Sequence, residues 1–159
     1  MCVYKLISTP VEQITKWETF MWETEYSINV NSTADKVWKI WADVENWHTW
    51  DHAVSWSRLL GPFTQGTVGK VKPKKGPEAT FTIVEMIQNE RFVDEAKLPL
   101  VTLRFIHELH PMKDHLKVTH KIQIEGFTTF LFSRVIGANL EKDLPIAMQA
   151  LKQKIESLS

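Results

Sequence analysis

VTLRFIHEL at 101–109 and LKVTHKIQI at 116–124 flank the polar turn PMKD at 111–114. In the first segment Val101, Leu103, Phe105, His107 and Leu109 alternate with Thr102, Arg104, Ile106 and Glu108. In the second, Leu116, Val118, His120, Ile122 and Ile124 alternate with Lys117, Thr119, Lys121 and Gln123. A period of two with one apolar face is the pattern of an antiparallel hairpin that is dry on one side. His107 and His120 are the polar residues on that dry side. Such histidines either have satisfied partners in a core or line an internal cavity, and this pattern argues for the cavity.

Working outward, Trp22–Asn31 alternates as a first strand. Asn31-Ser32-Thr33 then offers N-cap chemistry for a helix whose apolar face is Val37, Trp38, Trp41 and Val44. A second short helix is predicted around Glu45–Trp50. Strands follow at Val54–Leu60, from Gly66 to Pro73, at Ala79–Ile87 and at Arg91–Leu98, separated by Gly, Pro and Asn turns. Past Gly126 the period changes to about 3.6 residues. Phe132, Ile136, Leu140, Leu144, Met148, Leu151, Ile155 and Leu158 trace one stripe of a long C-terminal helix. Pro145 inside it predicts a bend near Leu144. Upstream, residues 1–21 form an N-terminal extension with a possible helical turn at Val11–Trp17, and 22–159 form one domain. The plan is α+β. One helix cannot fill the concave side of so long an antiparallel sheet, so an internal cavity between helix and sheet is expected.

Parity sharpens the interior. A four-residue turn at 111–114 places Phe105 opposite His120, and a similar turn at 88–91 places Glu85 opposite Asp94. A tight turn at Pro99-Leu100 sets Asp94 opposite Phe105. The expected inward row is Glu85, Asp94, Phe105, His120, with His107 one step along. The four titratable residues Glu85, Asp94, His107 and His120 are the candidates for acid–base work or for orienting a ligand. The expected cavity lining from the sheet is Phe81, Ile83, Phe92, Leu103, Phe105 and Val118. From the helices it is Trp38, Trp41, Ile136 and Leu140.

Composition narrows the function classes. The chain has 159 residues, 43% hydrophobic and 24% charged, with 19 basic and 19 acidic side chains. That balance gives no general attraction to nucleic acid, and none is expected as a partner. Cys2 is the one cysteine, so neither an intramolecular disulfide nor a cysteine metal cluster can form. His107 and His110 point to opposite faces of a strand, and no metal site or cofactor is expected. No run reaches the roughly 20 apolar residues of a membrane span. The start, MCVYKLISTPVEQ, has no basic leader with an apolar core, so a cytoplasmic protein is expected. Seven tryptophans fall between residues 17 and 56, and WHTWDH at 47–52 marks an aromatic cavity mouth.

The chain resembles the START-like superfamily (SRPBCC), in its small bacterial polyketide cyclase/dehydrase-like branch. The resemblance is carried by WADVENWHTWD at 41–51, GPFTQGT at 61–67, KPKKGP at 72–77 and FVDE after Arg91. It continues through HELHP at 107–111, VTHKIQIEG at 118–126 and IGANLEKDLPIAMQAL at 136–151. It implies a helix-grip fold, in which a curved antiparallel sheet wraps around the long C-terminal helix. The superfamily includes lipid carriers, hormone receptors, plant pollen-allergen-like proteins, aromatase/cyclases and chaperone activators. The function expected here is binding of a small hydrophobic molecule in the internal cavity. The alternatives are a cyclase or dehydratase that uses the cavity histidines and acids, and an interaction module of the chaperone-activator type. Whether the protein is an enzyme, which ligand it takes and its oligomeric state stay open at the level of sequence.

Overall fold

The computed structural model describes residues 21–158. Most of the extension, with its helical turn at Val11–Trp17, lies outside the described residues. Strand β1 (Met21–Val30) stops where Thr33 takes over as a helix cap. The Thr33 backbone is extended, and its hydroxyl accepts a hydrogen bond from the Lys36 amide at 3.4 Å. Helix α1 (Ala34–Ala42) buries Val37, Trp38, Ile40 and Trp41 on one face, as the three- and four-residue spacing requires. A short 3-10 helix (Val44–Thr49) follows, then strands β2 (Val54–Leu59), β3 (Val68–Pro73), β4 (Ala79–Ile87), β5 (Arg91–Leu98), β6 (Val101–Pro111) and β7 (Leu116–Gly126).

The seven strands form one curled antiparallel sheet in the order β1-β7-β6-β5-β4-β3-β2. Consecutive strands from β2 to β7 pair by hairpins, whereas β1 closes onto β7 from the far end of the sequence. The C-terminal helix begins as α2 (Thr129–Phe132), passes through a π-helical turn at Ser133–Gly137, and continues as α3 (Ala138–Ser157). It buries Leu144, Met148, Leu151 and Ile155 in the hydrophobic core. Burying side chains of that size is worth about 1.5–3 kcal/mol each. The predicted stripe is only partly on this face. Leu140 and Phe132 pack at its margin, Ile136 is half-buried and Leu158 is exposed. Pro145 lies inside α3, and the assigned irregularity of the helix falls earlier, at the π turn. That turn ends at Gly137, where a Cβ would sit 3.1 Å from the Trp22 ring. No helix among the described residues is long and apolar enough to cross a membrane.

Two expected registers differ from the observed ones. In the β6–β7 hairpin Pro111 stays in the strand opposite Leu116, so His107 faces His120 and Phe105 faces Ile122. The Met112 amide donates to the His115 carbonyl at 2.9 Å and closes the turn further along the chain than expected. A slip of two keeps parity, so every side chain stays on its expected face. In β4 the register shifts between Ile83 and Glu85, a β-bulge that sets Ile83, not Glu85, opposite Asp94.

Close approach explains two glycines. Gly69 lies opposite Phe81, and a Cβ there would fall 2.2 Å from the phenyl ring. Gly126, at φ 144°, lies so near Leu100 that a Cβ would be 2.4 Å from the Leu100 carbonyl oxygen. Leu100 itself has φ 65° and a largely exposed side chain, an arrangement that usually favours glycine or asparagine.

Candidate functional site

The concave face gathers Asp94 from β5, His107 from β6 and His120 from β7, all buried. Strict alternation delivers them there, beside Phe92, Leu103, Leu109, Val118 and Ile122. The His107 ring stacks flat on Phe92, with centroids 4.0 Å apart and planes within 3°. Its edge meets His120 at a centroid separation of 4.4 Å. From above, Trp41 of α1 contacts both imidazoles, at 5.6 Å and 5.5 Å. Trp50, just past the 3-10 helix, lies 6.0 Å from His120. Tyr26 pairs with His120 across β1 and β7, and its hydroxyl accepts from Gln149 Nε2 at 3.3 Å.

Hydrogen bonding within this nest is incomplete. Trp41 Nε1, Trp50 Nε1, Asp94 Oδ1, His107 Nδ1 and His120 Nε2 are buried and have no hydrogen-bond partner among the described residues. Buried polar atoms are nearly always satisfied, so five unpartnered ones among these core side chains call for an explanation. By contrast Trp47 Nε1 donates to the Trp41 carbonyl at 2.9 Å, and the Ser57 hydroxyl donates to the Val44 carbonyl at 2.6 Å.

Asp94 Oδ1 and His107 Nδ1 are 3.8 Å apart. At that spacing the two form no hydrogen bond. Burial, reinforced by the neighbouring Glu95 charge, pushes the Asp94 carboxyl up to about 8. Burial also pulls His120 down to about 3. His107 is held well below its usual range by burial and by His120 beside it. At neutral pH the nest therefore carries a protonated acid and two neutral imidazoles. Moving the proton from Asp94 to His107 leaves the net charge at zero.

The other candidates divide. Trp38, Trp41 and Phe92 meet edge to face, and Phe63 from the β2–β3 loop joins them at 5.2 Å from Phe92. Phe81 stacks on Trp47. Ile83, Leu103 and Val118 are buried in the same core, with Phe105 and Leu140 packed at its edge and Ile136 outside it. Glu85 is not part of the inward row. The bulge turns Val84 and Glu85 to the convex face, where Arg91 Nε donates to Glu85 Oε1 at 2.8 Å. Arg91 also binds Glu108, and Arg104 binds Glu95, across a shallow groove of about 460 Å³. Val93 and Ile106 lie buried beneath these ion pairs. Sequence reasoning missed Phe63, Tyr26 and the particular role of Trp50. The WHTWDH cluster pointed to Trp50, whereas Phe63 sits in a loop that has no periodicity to read.

Comparison with known proteins places this architecture. A protein from Thermobifida fusca solved by NMR is 23% identical, with a TM-score of 0.66 over 86% of this chain and 95% of that one. A START superfamily protein from Mycobacterium smegmatis is 13% identical, with a TM-score of 0.66 over 86% of this chain and 99% of that one. Norcoclaurine synthase from Thalictrum flavum, in complex with dopamine and hydroxybenzaldehyde, is 14% identical, with a TM-score of 0.69 over 99% of both chains. Among proteins with curated descriptions none matches by sequence. The chain thus has the helix-grip fold seen in START-type proteins. The model of the family described as polyketide cyclase / dehydrase and lipid transport matches residues 21–156, and the chain belongs to that family.

Proposed function

We propose that this protein binds a small hydrophobic molecule between the concave sheet face and the C-terminal helix, with a polar group of the ligand reaching Asp94, His107 and His120. The observation that carries this reading is the set of five buried, unpartnered polar atoms inside an aromatic interior. A ligand oxygen would satisfy several of them at once, while the apolar walls would take the rest of the molecule. Partial exposure of Phe105, Phe132, Ile136 and Leu140 supports an entry between the sheet and the first half of the helix. The family's range, from cyclisation and dehydration to lipid transport, is compatible with it.

A second reading has one specific observation in its favour. Asp94 and His107 lie 3.8 Å apart and hold one proton between them, which suits acid–base chemistry of the cyclase or dehydratase kind. The interaction-module reading is weaker, because the charges of the convex face are already paired with one another.

His107→Gln and His120→Gln variants test the choice. Native mass spectrometry of the freshly purified protein first looks for a co-purified small molecule. If the histidines orient a ligand, each variant keeps its denaturant midpoint and loses affinity, or loses the co-purified mass. If they catalyse, affinity is retained and turnover of a cyclisable substrate collapses. A stability loss of about 1–3 kcal/mol with no change in binding assigns them to structure alone and overturns the proposal.

A further inference from the structure

We infer that the interior site selects an uncharged ligand headed by a hydroxyl or carbonyl oxygen and excludes carboxylates and other anions. This rests on the ligand-binding reading above and adds the chemical class of the ligand.

The polar groups of the interior offer an anion no counter-charge. The buried polar and charged residues are Ser57, Asp94, His107, Thr119, His120, Thr129 and Ser133, so no lysine or arginine is among the buried residues described. Four of the seven are already satisfied locally. Ser57 donates to Val44, Thr119 pairs with Ser27 at 2.8 Å, Thr129 donates to Gly126 at 2.8 Å, and Ser133 donates to Phe130 at 3.2 Å. The basic side chains nearest in sequence are committed on the other face of the sheet, Arg91 to Glu85 and Glu108, and Arg104 to Glu95. Lys121 is tied to Glu25 at 3.1 Å. The C-terminal helix presents Leu144, Met148, Leu151 and Ile155 to the core.

A carboxylate placed beside Asp94, His107 and His120 would therefore meet no fixed cation among the described residues. A buried charge needs one, or it loses far more in hydration than dipoles return. Its other recourse is a proton, but burial holds both imidazoles neutral, and taking the proton of Asp94 only moves the buried negative charge onto Asp94. A hydroxyl meets no such barrier. Its oxygen can accept from the indole N–H of Trp41 or Trp50, and its proton can go to an imidazole nitrogen or to Asp94 Oδ1. A carbonyl oxygen can accept from the same indole N–H groups or from the protonated Asp94 carboxyl.

Three matched probes test this on the full chain: 2-naphthol, methyl 2-naphthoate and 2-naphthoate, titrated calorimetrically at neutral pH. Indole N–H signals in proton–nitrogen spectra are followed in parallel. The alcohol and the ester are expected to bind and to shift the Trp41 and Trp50 signals. The naphthoate should bind at least about tenfold more weakly, and its affinity should rise about tenfold per pH unit as it becomes protonated on acidification. Naphthoate binding equal to or tighter than naphthol at neutral pH overturns the inference and leaves the ligand reading standing. Alcohol binding that moves neither indole signal also overturns it, by placing the ligand elsewhere. If none of the three binds, the ligand reading itself falls and this inference falls with it.

Discussion

Replacing Asp94 by asparagine removes one proton from the folded interior, and proton counting gives the resulting change in stability at each pH. Below its ordinary value of 6.5 an unfolded histidine is charged, and above 3.8 an unfolded aspartate is ionised. Between those values the unfolded chain carries two protons on His107 and His120, while the folded nest carries one. The unfolded state binds more, so stability rises with pH by about 1.4 kcal/mol per unit from these three groups. Above 6.5 the unfolded chain carries none and the folded nest still holds one, up to the Asp94 value of about 8. Stability then falls by about 1.4 kcal/mol per unit. The nest alone therefore predicts a stability maximum near 6.5, about 2 kcal/mol above the value at pH 8. This count is the same whether the proton sits on Asp94 or on His107. In Asp94→Asn the folded proton is gone. The stability of the variant relative to wild type should climb by about 1.4 kcal/mol per unit from about pH 4 to about pH 8 and then level off. Asp51, also raised by burial, is present in both proteins and cancels from the difference. Urea unfolding followed by tryptophan emission and far-UV circular dichroism across that range gives the curve. A difference that is flat between about pH 5 and pH 8 refutes a neutral, proton-holding Asp94.

Other perturbations have simpler geometry. Gly69→Ala drives a Cβ to 2.2 Å from the Phe81 ring, and should lower the unfolding free energy in urea by about 1–3 kcal/mol. Leu100→Gly relieves a left-handed backbone at φ 65° while sacrificing a largely exposed side chain, so thermal melts should show a gain of about 1 kcal/mol. Met148→Ala empties a fully buried position on α3 and should lose about 2–5 kcal/mol in the same urea assay.

Much of the fold was legible because alternation and helical spacing are local signals. The hairpin of β6 and β7, the Thr33 cap and the inward faces of Asp94, His107 and His120 follow from local pattern alone, and parity survives a two-residue slip. What failed was what parity cannot see. A bulge adds one residue without any change in composition, and it sent Glu85 from the expected inner row to an ion pair with Arg91. The turn after β6 moved because Pro111 can end a strand as readily as open a turn. The π turn at Ser133–Gly137 had no local signal either, since Gly137 packs there against Trp22 from the other end of the fold. Contacts of that kind join residues whose proximity no local window contains. The same holds for Phe63, which reaches Phe92 and Trp38 from an irregular loop.

Strand β1 hydrogen-bonds only to β7, so residues 21–30 wait for residues 116–125 before they have a neighbour in the sheet. On the ribosome that wait lasts until the last strand has been made, since β1 precedes the other strands of the sheet in the chain and β7 follows them. Trp22, Ile28 and Val30, buried in the finished fold, must spend that interval without their sheet partners. The hairpins from β2 to β6 can form as they emerge, whereas long-range pairing of this kind is slow and leaves an apolar edge open to other chains. Translation thus delivers the first strand well before the edge that it completes, and the nascent chain closes its sheet only when β7 has left the exit tunnel.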